Sequence, residues 1–129
     1  MWHLLYSFPA VPPKMIEEGY KDFADKIFHV HMKDVHWTDV PKDVGVFGGH
    51  TSFGDPRRCC DFMSIGRGRI DFESVIRTLN DIGYKGPLSI EWEDSSMDRE
   101  HGAKESCEFV KAVDFEHSDI SFDDLFASD

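Results

Sequence analysis

Two short stretches of the chain alternate apolar and polar residues with a period of two, which is the pattern of a β-strand with one buried face. In residues 28–34 the apolar face carries Val30 and Met32, and the polar face carries His29, His31 and Lys33. In residues 88–94 the apolar face carries Leu88, Ile90 and Trp92, and the polar face carries Ser89, Glu91 and Glu93. Imidazoles on one strand and carboxylates on another are donor groups that suit a divalent metal. The alternation therefore predicts two strands whose polar faces form a candidate metal site.

Around these strands, apolar residues recur at spacings of three and four, which predicts helices over residues 14–26, 72–82 and 98–113. Asp71 is suited to cap the start of the second helix and Gly83 to end it. The third helix is predicted to place on one side Ala103, Cys107, Val110 and Val113. Residues 36–69, rich in glycine, proline, aspartate and aromatic residues, are predicted to form a long loop after the first strand that is functional or mobile.

The order of elements indicates an α/β fold, because about 55 residues separate the two strands and leave room for a helical crossover between parallel strands. A length of 129 residues suits one domain, and 40% hydrophobic residues are enough for a packed core. Three cysteines, two of them adjacent, fit reduced thiols in the cytoplasm, and we see neither a signal peptide nor an apolar run long enough to span a membrane.

The net charge of -11 is concentrated near the carboxyl terminus. Residues 1–90 carry 11 Lys and Arg against 12 Asp and Glu, whereas residues 91–129 carry 3 against 13. We therefore expect residues 116–129 to form an acidic tail. An acidic chain without a basic cluster argues against nucleic acid and anionic membranes as partners.

Four motifs, in this order, carry a resemblance to a known family: residues 29–34 (HVHMKD), 64–72 (SIGRGRIDF), 86–94 (GPLSIEWED) and 97–103 (MDREHGA). Together they resemble the sugar phosphate isomerase/epimerase family of xylose isomerase-like TIM barrels. The resemblance implies that residues 1–115 are the C-terminal fragment of a (β/α)8 TIM barrel, with about two parallel strands, three helices and a long loop. The matched strands are then the last two of the barrel.

The resemblance also implies a divalent metal, Mn, Mg, Co or Zn, held by a Glu, an Asp, a His and a Glu. His31 matches the histidine ligand, and Glu91 matches the last glutamate, which is also the candidate for proton transfer. His3 matches a substrate-contacting histidine that follows the aspartate ligand by three residues. A complete barrel takes about 250 residues, so we expect the aspartate and the first glutamate to lie before Met1 and this chain to hold two of the four ligands.

Other residues near the motifs have two interpretations each. Lys33 either binds a sugar oxygen or phosphate, or is a solvated lysine at a strand end. Glu93 shares a face with Glu91, and motif position alone separates their roles. Arg67 lies in a glycine-rich turn that either binds a phosphate at a helix start or simply enters the helix. Asp34 points away from the site by strand parity, which favours a structural role.

The leading hypothesis is the C-terminal part of a metal-dependent sugar or sugar phosphate isomerase or epimerase, inactive by itself. An alternative is a metal-dependent endonuclease-like barrel, because related barrels act on damaged DNA. A non-enzymatic alternative is an interaction module that uses its acidic tail and associates with itself through open sheet edges.

Overall fold

The computed structural model describes residues 13–38, 44, 50–116 and 118. In chain order the elements are α1 (Pro13–Asp22), a 3₁₀ turn (Ala24–Lys26), β1 (Val30–Met32), β2 (Asp34–Trp37), β3 (Cys60–Met63), α2 (Phe72–Asp81), β4 (Leu88–Ile90) and α3 (Arg99–Val113). The mixed α/β fragment predicted from the sequence is confirmed. His3 and most of the predicted tail, residues 116–129, lie outside the described residues, so the division into domain and tail stays a prediction.

The two strands predicted from alternation pair in parallel. In the register of β1 with β4, Val30 lies opposite Leu88, His31 opposite Ser89 and Met32 opposite Ile90. The Glu91 amide donates to the Met32 carbonyl at 2.9 Å, so the pairing continues just past β4. Val30 and Met32 are buried, as their face predicts, and they pack with the apolar residues of α2.

Helix α2 has the ends that the sequence predicts. The Asp71 carboxylate accepts a hydrogen bond from the Ser74 amide at 3.0 Å, which satisfies one of the free donors of the first turn. Gly83 has a φ of +69°, a conformation that closes the helix through the hydrogen bond from the Tyr84 amide to the Leu79 carbonyl. Between these ends the helix buries Phe72, Val75, Ile76, Thr78 and Leu79.

The other two helices differ in detail from the prediction. The first is interrupted at Phe23, whose ψ of 20° leaves the helical region, so α1 and the 3₁₀ turn replace one continuous helix. The third has the predicted span, with Asp98 as its N-cap. Its predicted inner face is confirmed at Val110, which is buried, and at Val113, which packs against the core, but is wrong at Cys107. Cys107 is exposed, and the buried residues are Gly102, Ser106 and Val110. Small residues face inward because α3 lies close against the chain that follows β3 and β4.

The predicted long loop contains a strand that the sequence pattern did not reveal. The first predicted strand ends at Met32, and β2, which begins at Asp34 and runs into the predicted loop, pairs antiparallel with β3 rather than with β4. Val35 lies opposite Phe62, and Trp37 lies opposite Cys60. This hairpin brings β3 across the end of β1, so part of the supposed loop is fixed beside the candidate site.

A buried polar network fastens the end of β3 to α3. The Ser64 hydroxyl lies 3.0 Å from that of Ser106 and accepts a hydrogen bond from the Trp92 indole at 3.2 Å. The Ser106 hydroxyl accepts from the Ile65 amide, and the Asp94 carboxylate accepts from the Ser64 amide, both at 3.0 Å. Because both serines are fully buried, each of these bonds satisfies a group that water does not reach.

The Asp34 carboxylate is the anchor of the glycine-rich turn. It accepts hydrogen bonds from four backbone amides, at distances of 2.8–3.2 Å: Val35, Gly66, Gly68 and Ile70. The side chain is 1% exposed, on the side of the strand that parity predicts. One buried carboxylate therefore determines the path of the chain between β3 and α2.

Candidate metal and proton-transfer site

Parallel pairing brings the polar residues of β1 and β4 to the same edge of the sheet. His31 lies in β1 and Glu91 directly follows β4. Because β1 and β4 pair in parallel, the two side chains lie next to each other. The His31 Nδ1 atom is 3.7 Å from the Glu91 Oε2 atom, and both side chains are about two-fifths exposed. This edge, at the carboxyl ends of the strands, is where TIM barrels place their active sites.

The His31 and Glu91 pair fits one divalent cation as two neighbouring ligands, since an imidazole nitrogen and a carboxylate oxygen suit Mn, Mg, Co or Zn to different degrees. Within residues 13–38, 44, 50–116 and 118, no group of three or more His, Cys, Asp or Glu side chains is arranged to hold a metal. The described part of the chain thus brings together the two ligands that the sequence predicts, and no complete ligand set.

Lys33 connects both glutamates of the site. Its ammonium donates to the Glu91 Oε1 atom at 2.7 Å and to the Glu93 Oε2 atom at 2.9 Å. Partial burial lowers the pKa of Lys33, but the hydrogen bonds to Glu91 and Glu93 outweigh that effect and the pKa lies above its ordinary value. Lys33 is therefore charged at neutral pH, and the three residues form one ion-paired group.

Phe62 is a site residue that the sequence interpretation missed. Its ring lies against the Lys33 ammonium, 4.0 Å from the ring centroid, as a cation–π contact. Phe62 comes from β3, and its position depends on the pairing of β2 with β3. Only the aromatic character of the loop pointed to such a residue, and nothing local singled out this one.

His29 lies beside His31, on the polar face where strand parity predicts both residues. The two imidazole rings stack with centroids 4.6 Å apart and an interplanar angle of 24°. The His29 Nε2 atom lies 2.5 Å from the Ser89 hydroxyl oxygen on the neighbouring strand. The hydrogen bond fixes the His29 ring, and the stack then limits rotation of His31.

Arg67 is not drawn into this group of residues. Its guanidinium forms two hydrogen bonds with Glu105 on α3, at 2.6 and 2.7 Å. The amides of Gly66 and Gly68, which a phosphate at the turn would need, donate to Asp34. The Asp34 carboxylate thus occupies the amides of the turn that a phosphate would use. A role for Arg67 in binding substrate stays a prediction. His3 lies outside the described residues.

The ion pair between Arg67 and Glu105 should make the stability of the fold depend on pH at low pH. Hydrogen bonding from the Arg67 guanidinium holds the pKa of Glu105 at about 2, below its ordinary 4.5. Because the folded-state pKa lies below the unfolded one, the pair stabilises the fold fully above about pH 4.5, and its contribution is lost as pH falls through about 2. In Arg67→Gln, an NMR titration should give Glu105 a pKa above about 3.

The control for this titration is Arg77→Gln, because Arg77 makes a similar pair with Glu73 on α2 and does not bond to Glu105. The Glu105 titration should be unchanged in that variant. A Glu105 pKa that remains at about 2 in Arg67→Gln would show that the guanidinium is not its main cause.

The fold and the site define a class of protein: parallel strands and helices with an imidazole and carboxylates at the carboxyl ends of the strands. Comparison with known families places the chain within that class, since the family described as xylose isomerase-like TIM barrel matches residues 2–113. The chain belongs to this family. A search of curated protein sequences gave no match.

Proposed function

We propose that the chain carries the histidine and glutamate half of the metal site of a sugar or sugar phosphate isomerase or epimerase. The observation that carries this proposal is the approach of His31 Nδ1 to Glu91 Oε2, 3.7 Å apart at the carboxyl ends of β1 and β4. Family membership supports the same chemistry. His31 and Glu91 would hold a divalent cation, Mn, Mg, Co or Zn, which in such a site polarises the oxygens of the sugar.

In this proposal Glu91 moves the proton. Its carboxylate takes a proton from the carbon next to the sugar carbonyl, which leaves an enediolate. In an isomerisation it returns the proton to the former carbonyl carbon while the hydroxyl proton passes to the former carbonyl oxygen, and in an epimerisation a second acid on the opposite face returns a proton to the original carbon. The Lys33 hydrogen bond holds Oε1 of Glu91, which leaves Oε2 directed toward His31. Glu93 and Lys33 line the same edge as candidates to bind sugar hydroxyls, and Arg67 and His3 remain candidates for the substrate's more distant groups.

We expect weak metal binding and no net conversion of sugar by the 129-residue chain alone. The described residues bring two metal ligands together, and two monodentate ligands hold a divalent cation far more weakly than four do. Exchange of the carbon-bound proton with solvent is the first half of the reaction, and it can be detected when net conversion cannot.

The experiment is therefore deuterium incorporation from D₂O into a panel of ketoses and ketose phosphates, followed by mass spectrometry in the presence of excess Mn²⁺. Slow incorporation at the carbon next to the carbonyl is expected, lost in Glu91→Gln and retained in the control variant Glu108→Gln, which alters an exposed glutamate of α3. No incorporation into any ketose, or incorporation unchanged in Glu91→Gln, would contradict the proposal. Cleavage of abasic-site DNA without any ketose exchange would favour the endonuclease-like alternative.

We also propose that copies of the chain associate through their sheet edges. Among the described strands, β1 and β4 pair only with each other, which leaves one edge of each strand open. Phe28, immediately before β1, is 79% exposed. We expect the mass measured by light scattering to rise with concentration, and a constant monomer mass would count against association.

The cellular location and the binding partners of the chain are also proposals. Within the residues that the structure describes, no helix is long and apolar enough to cross a membrane. We propose a cytoplasmic protein whose partner is a small sugar, without nucleic acid or membrane partners, because its acidic residues outnumber its basic residues by 25 to 14. Retention on an anionic vesicle or on DNA at physiological salt would contradict this.

A further inference from the structure

The carboxylates at the candidate site already hold a cation that belongs to the chain. The Lys33 ammonium lies within 3 Å of one oxygen of Glu91 and one oxygen of Glu93, and the face of the Phe62 ring lies 4.0 Å away. Anionic oxygens and an aromatic face are the surroundings that a free cation would choose. The Lys33 side chain is only 22% exposed, so these contacts and not water are its main environment.

From this arrangement we infer that Lys33 is the resident cation of the site and that a divalent metal at the His31 and Glu91 pair competes with it. The inference rests on the proposed function for the location of the metal. Glu91 is the shared group: its Oε1 atom bonds to Lys33 while its Oε2 atom faces His31. A metal on Oε2 would therefore lie close to the ammonium, and two positive charges at such separations repel strongly where water is partly excluded.

A second effect of Lys33 acts in the opposite direction. Hydrogen bonds to a ligating carboxylate orient it, and their loss typically weakens metal binding by about 10-fold to 100-fold. We expect the repulsion between the ammonium and the metal to outweigh this orienting effect, because of the net charge of the site. The two glutamates and Lys33 sum to one negative charge, and the two glutamates without Lys33 sum to two, which matches a divalent cation. Removal of the ammonium should therefore strengthen metal binding.

The test is calorimetric titration of the whole chain with Mn²⁺ alone. Lys33→Met removes the charge and keeps most of the side-chain length, and it should lower the Kd for Mn²⁺ by at least about tenfold. Lys33→Arg keeps the charge, and Lys85→Met removes an exposed charge elsewhere, so both should bind Mn²⁺ within about twofold of the wild-type chain. A Kd for Lys33→Met that is unchanged or raised would overturn the inference.

A measurement on the wild-type chain keeps the test independent of whether Lys33→Met folds. Chemical acetylation followed by peptide mapping reports how accessible each lysine is. Saturating Mn²⁺ should increase the acetylation of Lys33 several-fold and leave Lys85 unchanged, because the ammonium must leave Glu91 when the metal binds. Unchanged acetylation of Lys33 with Mn²⁺ bound would count against competition.

The double variant His31→Ala with Lys33→Met separates this inference from the proposed function. If Lys33→Met tightens Mn²⁺ binding and the added His31→Ala does not weaken it, competition by Lys33 stands and the proposed ligand pair fails. If Lys33→Met does not tighten binding but His31→Ala weakens it in the wild-type background, the ligand pair stands and the competition fails.

Discussion

Asp34→Ala is expected to reduce the free energy of unfolding by about 3–5 kcal/mol, the largest effect of any single substitution considered for this fold. The carboxylate is 1% exposed and accepts hydrogen bonds from four backbone amides. Alanine removes every acceptor at once and leaves the donors of Gly66, Gly68 and Ile70 without a replacement. Urea unfolding followed by circular dichroism measures the change.

The control for this substitution is Asp22→Ala, at the exposed end of α1, which should change stability by less than about 0.5 kcal/mol. Asp34→Asn offers a milder variant if the alanine chain does not fold in water. Asparagine keeps one acceptor oxygen but turns an amide donor toward backbone donors. The stability of Asp34→Asn should therefore fall between that of the wild-type chain and that of Asp34→Ala. An Asp34→Ala chain within about 1 kcal/mol of wild type would show that the turn does not depend on this carboxylate.

Gly102→Ala is expected to destabilise the fold by about 2 kcal/mol, although alanine is the better helix former. An added Cβ at Gly102 would overlap the indole ring of Trp92. The ring cannot move away freely, because its Nε1 atom donates to the buried Ser64 hydroxyl. The overlap therefore outweighs the gain in helix propensity, which is about 1 kcal/mol.

Gly19→Ala is the matched control, since Gly19 also lies inside a helix but an added Cβ there would have no neighbour within 4 Å among the described residues. This substitution should stabilise the fold by about 0.5–1 kcal/mol through helix propensity alone. Thermal unfolding of both variants gives the comparison. If Gly102→Ala were as stable as Gly19→Ala, the close packing of α3 on Trp92 would be wrong.

The parts of the fold that depend on local chemistry could be predicted from the sequence. Asp71 and Gly83 mark the ends of α2 because capping is decided within a few residues. The parity of β1 separates His31 and Lys33 from the buried Val30 and Met32 for the same reason, since a strand alternates with every residue. The polar edge of the site was therefore predictable before the strands were paired.

The parts that depend on distant segments could not be predicted in this way. β3 is stabilised by pairing with β2, and its own four residues show no clear alternation in burial. Phe62 consequently contacts Lys33 only because β3 pairs with β2, and no pattern within β3 itself predicts that pairing. The inner face of α3 was predicted only in part, because close approach selects small residues such as Gly102 and Ser106, whereas apolar periodicity selects Cys107.

The ion pairs of Lys33 with Glu91 and Glu93 also depend on distant segments, so the sequence could not predict them. Strand parity placed Lys33, Glu91 and Glu93 on one face, but only the parallel register of β1 with β4 brings the ammonium to both carboxylates. Likewise, the sequence left open whether the glycine-rich turn binds a phosphate or only enters the helix, and in the structure its amides donate to Asp34. In both cases the sequence identified the chemical groups and the tertiary structure identified their partners.

The most direct test of the central claim is paramagnetic broadening by Mn²⁺ in the ¹H–¹⁵N NMR spectrum of the chain, because it locates even a weakly bound metal. The amide signals of His31 and Glu91 should broaden first, and His31→Ala should abolish this local effect. His101→Ala, which alters an exposed histidine at the start of α3, should leave it unchanged. Broadening that is centred elsewhere, or that persists around Glu91 in His31→Ala, would contradict a metal site built on these two residues.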